Sequence, residues 1–194
     1  AEVIRHLSTV LRLQHGSQFE LFDGKGSVAL CTLNPEGKTA QIERLTQLTP
    51  PEFRIELIQG LAKGEKLEMI LQKGTELGLS RFVLTASERT MVKISANKKV
   101  SRSERWHKIV LEACRQCGQP FAPEISICDN LGSSLNRATG SLKLMLWEEA
   151  TTPLQQLLPE QPPSSISLLV GPEGGFSAAE ATMAQAAGFQ TVRL

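Results

Sequence analysis

A largely apolar run, Ile166 to Val170, passes directly into Gly171-Pro172-Glu173-Gly174-Gly175 and then into Phe176-Ser177-Ala178-Ala179-Glu180. The run reads as a buried strand. Ser177 and Glu180 form the S-x-x-E pattern of a capping box, which opens a helix. Strand, glycine-rich turn and capped helix in succession form a unit of an α/β protein. Such a turn lets the backbone approach a ligand at the carboxyl end of a strand. Gly171, Gly174 and Gly175 can take positive φ and leave no side chain in the ligand's way, and Gly174 is expected to use it. A tight turn without a ligand is the competing reading, since such turns also simply punctuate chains. The spacing is not G-x-G-x-x-G, and no Lys-Ser or Lys-Thr follows, so a dinucleotide fingerprint and a Walker phosphate loop are both excluded. Glu173 places a carboxylate in the turn, which suits a neutral or cationic ligand better than a polyphosphate.

The rest of the chain has two textures. Up to about residue 46, short apolar runs are broken by turn residues. Phe19 to Phe22 precedes Asp23-Gly24-Lys25-Gly26, and Val28 to Leu33 precedes Asn34-Pro35-Glu36-Gly37. These are strands joined by tight turns, and a small β-barrel buries so few strands. Thr49-Pro50-Pro51-Glu52 is extended linker. Residues 1–48 and 53–194 are therefore expected to be separate domains.

In the second part, strands are expected at Arg54–Gly60, Arg81–Ala86, Leu142–Trp147, Ile166–Val170 and Phe189–Leu194. Helices are expected at Glu65–Leu77, Glu104–Cys117 and Ala178–Ala187. The first helix carries Leu67, Ile70, Leu71 and Leu77 at helical spacing and stops at Gly78. The second presents Trp106, Ile109, Val110 and Ala113. A short helix is expected after Pro153, and Ser133–Gly140 and Pro159–Ser165 read as loops. Strands alternating with helices mean a largely parallel sheet covered on both faces. An end at Leu194, on an apparent core strand, suggests that a C-terminal segment is missing. Ala1, directly before a helix-like stretch, suggests the same of the N-terminus.

Of 194 residues, 41% are hydrophobic and 21% charged, and the net charge is +1. These values are ordinary for a soluble domain, so affinity for nucleic acid must come from a local patch. No apolar run has membrane-spanning length, and no signal-peptide pattern opens the chain. Cys114 and Cys117 make a lone C-x-x-C without a second ligand pair, which reads as two small helix residues rather than zinc or redox chemistry. Together with Cys31 and Cys128 they lack a disulfide pattern, which suits a reducing cytoplasm.

Such a patch exists. Between Arg89 and Lys108 lie seven basic residues (Arg89, Lys93, Lys98, Lys99, Arg102, Arg105 and Lys108) against one acid, Glu104. A flexible basic segment is a common contact for phosphates; a solvated loop is the alternative. Lys63, Lys66 and Lys73 add charge around the first helix. Trp147-Glu148-Glu149 ends a strand, where α/β ligands bind. No third ligand accompanies these acids, so no metal is expected. No nucleophile constellation stands out.

Several stretches together resemble one family. Lys63-Gly-Glu-Lys-Leu-Glu-Met-Ile-Leu-Gln-Lys-Gly-Thr-Glu-Leu-Gly78 is similar to a helix of the bacterial 16S ribosomal RNA uridine-N3 methyltransferases. So are Ser87-Glu-Arg89, Arg105-Trp106 and Glu112-Ala-Cys-Arg-Gln-Cys-Gly118. His6 to Leu13 and Phe22-Asp-Gly24 resemble that family's N-terminal PUA-like barrel, and Leu168 to Ser177 its cofactor loop. The loop alone resembles the wider SPOUT superfamily, and the combination, in order along nearly the whole chain, resembles the subfamily.

The resemblance implies a PUA-like β-barrel followed by an α/β domain with a C-terminal trefoil knot, in a cytoplasmic homodimer. It implies S-adenosylmethionine as cofactor and 16S rRNA in the small ribosomal subunit as partner, with no membrane role. By position, Leu146, Trp147 and Glu148 end one cofactor-lining strand. Val170, Gly171, Pro172, Glu173, Gly174 and Gly175 form the second loop, and Leu194 leads into the third. The family continues with a knot-threading segment that this chain lacks, so the cofactor pocket is expected to be incomplete. Expected RNA contacts are Arg12, Lys63, Lys66, Arg89, Lys98, Lys99, Arg102 and Arg115. No catalytic residue is assigned. Another SPOUT-type methyltransferase, acting on a ribose hydroxyl or another base, and a catalytically silent RNA-binding module are the alternatives.

Overall fold

A computed structural model describes Leu7 and residues 11–90 and 96–193, without the side chains of Ala96 and Lys98. The chain divides into two compact units, Ala1–Pro50 and Pro51–Leu194. In the first, β1 (Gln18–Phe22), β2 (Ser27–Leu33) and β3 (Ala40–Gln47) form an antiparallel sheet in the order β1-β2-β3. The Asp23 carboxylate accepts from the Lys25 and Ser27 backbone N–H groups at 2.7 and 3.0 Å, closing the β1–β2 turn. β3 has no apolar alternation and is exposed throughout.

The second unit holds six parallel strands in the order β6-β5-β4-β8-β7-β9. They are β4 (Arg54–Gly60), β5 (Arg81–Thr85), β6 (Glu124–Cys128), β7 (Leu142–Leu146), β8 (Ser165–Val170) and β9 (Gln190–Val192). Helices are α1 (Glu65–Glu76), α2 (Ala96–Cys117), α3 (Leu131–Leu135) and α4 (Ala178–Ala186), and Leu154–Gln156 forms one 3₁₀ turn. Register places Val83, Ile58, Leu169 and Met145 side by side across four strands. This row joins Leu131 and Leu135 of α3 and Ala181 and Ala184 of α4 in one buried cluster. The neighbouring row, Phe82, Leu57, Leu168 and Leu144, points to the opposite face because side chains alternate along strands. There α1 packs on Phe82: a Cβ at Gly74 would lie 2.7 Å from the ring.

Several elements differ from expectation. Leu77 caps α1 and is 83% exposed; Leu67, Leu71, Gly74 and Thr75 form the buried stripe instead. Gly74 takes the place because only a residue without a side chain fits under Phe82. The stop at Gly78 is as expected, with φ +82° and Leu79 N–H donating to the Gly74 carbonyl at 2.9 Å, a Schellman closure. α2 begins at Ala96 rather than Glu104, so much of the basic segment is helix and not flexible loop. Lys and Arg are good helix formers and no breaker interrupts this run. β6 and α3 were not expected. β6 is only five residues long, and α3 lies where Ser133–Gly140 reads as loop; the Asn130 side chain caps it by accepting from Ser133 N–H.

Candidate ligand site

β4 feeds α1 and then β5 on one side, whereas β8 feeds α4 and then β9 on the other. The crevice between β4 and β8 is therefore a topological switch point, the usual ligand position in an open α/β sheet. Here the chain fills it. A Cβ at Gly60 would lie 2.5 Å from Pro172 Cδ, so the end of β4 receives the proline directly. Gln59 Nε2 donates to the Gly171 carbonyl at 3.0 Å. The open space is displaced to the carboxyl ends of β7, β8 and β9, where a cavity of about 290 Å³ is found. Its walls include Leu146 at the end of β7 with Trp147 and Glu148 beyond it, Val170 at the end of β8 with Gly171 to Glu173 and Gly175 beyond it, and Val192 at the end of β9. The volume is at the lower end of the range for small-molecule sites.

The turn is held from several directions. Gly175 N–H donates to the Pro172 carbonyl at 2.9 Å. Trp147 Nε1 donates to the Phe176 carbonyl at 3.3 Å, which brings the β7 loop onto the β8 loop. The expected capping box is present: Glu180 N–H donates to Ser177 Oγ, and Ser177 N–H to Glu180 Oε2. Glu180 is buried, and its other oxygen accepts from Glu88 N–H at 2.8 Å, so the segment after β5 is tied to the start of α4.

The three glycines do different work, and the expectation of positive φ at Gly174 is corrected. Gly175 has φ +66°, while Gly171 and Gly174 are outside the left-handed region. Gly171 is needed for closeness, since its Cβ would lie 3.2 Å from Gly175 and the Phe176 ring. Gly174 makes room for Arg89, whose Cβ would be 3.2 Å away.

Charges at the site are arranged in two pairs. Glu173 Oε1 accepts from Lys63 N–H at 3.1 Å and meets Lys66 Nζ at 3.3 Å. Its carboxyl is held below the usual range, chiefly by its own backbone N–H and that of Lys63. Glu148 faces Gly175 and meets Arg89 Nη1 at 3.6 Å, and the same nitrogen donates to the Gly174 carbonyl at 3.0 Å. Sequence reasoning missed both pairings, since the partners in each pair come from different segments far apart in the chain.

Within the second unit, the described residues expected to contact RNA are not gathered in one place. Lys63, Lys66 and Arg89 are at the glycine turn. Lys99 pairs with Asp129, and Arg115 with Glu112 at 3.0 Å. Arg102 is half-buried on α2, and Arg12 is an exposed residue of the first unit, with φ +50°. The side chain of Lys98 and all of Leu194 lie outside the described residues. Arg105, another member of the basic run, forks onto Glu68 at 2.8 Å and joins α2 to α1. Among the described residues no cluster of His, Cys, Asp and Glu is suited to a metal, and no helix is long and apolar enough to cross a membrane.

Residues 49–194 match the RNA methyltransferase domain family, and residues 1–43 match the RNA methyltransferase PUA domain family. The chain belongs to this RNA methyltransferase family. Among the family's curated members is the ribosomal RNA small subunit methyltransferase E of Synechocystis sp., 33% identical over 98% of this chain. The match spans 64% of that relative's length, slightly under two thirds. The enzyme of the same name from Bacillus subtilis is 30% identical, over 92% of this chain and 74% of its own. A Legionella pneumophila protein, solved in complex with S-adenosylmethionine as cofactor, superposes with a TM-score of 0.87 at 31% identity. It is covered over 81% of its length, and this chain over 100%. A Neisseria gonorrhoeae ribosomal RNA small subunit methyltransferase E, bound to S-adenosyl methionine, gives 0.85 at 32% identity, over 100% of this chain and 80% of that one. The α/β fold with a parallel sheet is shared with these solved structures, and the N-terminal family match is to an RNA methyltransferase PUA domain.

Proposed function

We propose that this chain is part of an S-adenosylmethionine-dependent methyltransferase acting on N3 of a uridine in 16S rRNA of the small ribosomal subunit. The observation that carries the reading is the coincidence of two facts. The cavity lies at the glycine turn after β8, and solved family members bound to S-adenosylmethionine share the fold over the whole chain. Residues 1–48 serve as a PUA-like RNA-binding unit, and residues 53–194 as the methyltransferase unit.

The lining residues fit this cofactor. Leu146, Val170 and Trp147 offer apolar surface, and Gly171, Pro172 and Gly175 offer backbone at close approach. Gly174 and Leu194 complete the proposed set. Glu148 and Glu173 place carboxylate oxygens at the cavity wall where a sulfonium can meet them, each balanced by a basic partner. Bound there, the cofactor supplies an electrophilic methyl group. Uridine N3 carries a proton at neutral pH, so its methylation also requires a base or stabilisation of the developing anion. No described residue is assigned that role.

Arg12, Lys63, Lys66, Lys98, Lys99, Arg102 and Arg115 make up the proposed RNA contacts, supported by their charge and, for most, their exposure. A cytoplasmic homodimer belongs to the same reading, and light scattering on the purified protein tests the dimer. The test of function is transfer of labelled methyl from S-adenosylmethionine to small-subunit particles, with the modified atom mapped by mass spectrometry. N3-methyluridine is expected. Label on a ribose oxygen or another base points to a different SPOUT-type specificity. RNA binding without transfer points to a silent module.

A further inference from the structure

Arg89 stands first in the basic run, which suggests phosphate contact, yet its guanidinium points into the protein's own ligand turn. We propose that Arg89 is a positioning residue of the cofactor site rather than part of the RNA surface. The inference rests on the cofactor reading above.

Three contacts support it. Nη1 donates to the Gly174 carbonyl at 3.0 Å and meets Glu148 Oε1 at 3.6 Å. The Arg89 stem packs against Gly174, where a Cβ would lie 3.2 Å from its own Cβ. The segment carrying Arg89 is itself anchored. Ser87 N–H donates to Thr90 Oγ1 at 2.8 Å, and Glu88 N–H to the buried Glu180 at 2.8 Å. A rigid turn after β5 therefore reaches across the end of β4 and pins two other loops with one nitrogen. One of the pinned groups is the Gly174 carbonyl, in the middle of the glycine turn. The other is the Glu148 carboxylate, which covers Gly175 at the cavity wall.

Each pinned group matters to a cationic ligand. Without Arg89 the Glu148 side chain, more than half exposed, is free to turn into solvent. The Gly174 carbonyl then loses its donor, and the turn loses its attachment to the β5 segment. The guanidinium is suited to this task because it is planar and presents several N–H groups in fixed directions, whereas an ammonium acts as a point charge.

The experiment compares full-chain wild type with Arg89→Ala, Arg89→Lys, Glu148→Gln and the Arg89→Ala/Glu148→Gln double variant. S-adenosylmethionine affinity is measured by calorimetry without RNA, and affinity for a small-subunit RNA fragment over a range of salt. Arg89→Ala is expected to weaken cofactor binding roughly tenfold or more, the effect of losing one hydrogen bond from a charged group. Arg89→Lys should recover only a minor part of it. The double variant should lose less than the product of the two single losses, showing that Arg89 and Glu148 act together. RNA affinity and its salt slope should stay at wild-type values in Arg89→Ala. Urea unfolding of each variant separates loss of site from loss of fold. Unchanged cofactor affinity in Arg89→Ala, full recovery by Lys, or a shallower RNA salt slope would each overturn the proposal. A wild-type protein that binds no S-adenosylmethionine removes the functional reading and this inference together.

Discussion

Glu148 lies over Gly175. A Cβ on Gly175 would be 3.0 Å from Glu148 Oε1 and 3.2 Å from Oε2, so a loop after β7 closes on the one left-handed residue of the turn after β8. The two residues are far apart in sequence and meet because β7 and β8 are parallel neighbours whose carboxyl ends coincide.

Gly175→Ala should therefore act twice. The left-handed backbone costs a residue with a Cβ about 1 kcal/mol, and the methyl displaces the Glu148 carboxylate. Stability by urea denaturation should fall by about that amount, and calorimetry should show weaker S-adenosylmethionine binding than the stability change alone predicts.

Gly60→Ala should be the more damaging to the fold. Its Cβ would meet Pro172 Cδ at 2.5 Å and Pro172 N at 2.6 Å, so the methyl collides with a second stretch of backbone. Overpacking of this kind costs about 1–3 kcal/mol. The urea midpoint should drop accordingly with an unchanged slope.

Ser177→Ala removes the N-cap of α4, worth about 1 kcal/mol, and should lower the melting temperature by about 2–4 °C. Glu180→Ala should cost more. It leaves both Ser177 N–H and Glu88 N–H without their carboxylate and releases the segment bearing Arg89. Differential scanning calorimetry on the two variants tests the order.

Lys99→Ala combined with Arg102→Ala should weaken RNA binding and flatten its dependence on salt. Each lost phosphate contact should reduce the slope of log affinity against log salt by about 0.7 for single-stranded RNA. Cofactor affinity should not change. An unaltered slope would show that the face of α2 bearing these two residues is merely solvated.

Cys114 is fully buried on α2, and burial, with some repulsion from Cys117, pushes its thiol up to about 11 from 9.0. The unfolded thiol ionises first as pH rises, so the unfolded state binds fewer protons above pH 9. This contribution to stability is therefore complete below pH 9 and is lost as pH rises through about 11. Urea midpoints across that window should decline less in Cys114→Ala than in wild type. At neutral pH, iodoacetamide should label exposed Cys117 and spare Cys114.

Much of this architecture is written locally. The alternation of strand-like and helix-like runs in the second unit specifies a parallel α/β sheet, because both periodicities are properties of neighbouring residues. The Gly78 stop and the Ser177–Glu180 cap are equally local, since each is completed within a few residues. The glycine-rich turn is visible for the same reason, and family resemblance added a cofactor to it. Strand order is not local. It decides that Pro172 fills the crevice at Gly60, that the cavity opens over β7 to β9, and that Arg89 reaches Gly174 across 85 residues of chain. It also decides which glycine needs a left-handed backbone and which only needs to be small. Those assignments depend on the atoms that arrive from other strands, and a sequence lists these only as distant neighbours. β6 shows the same limit: Glu124 to Cys128 alternates over only five residues, and these become a strand because the edge of β5 is there to pair with them.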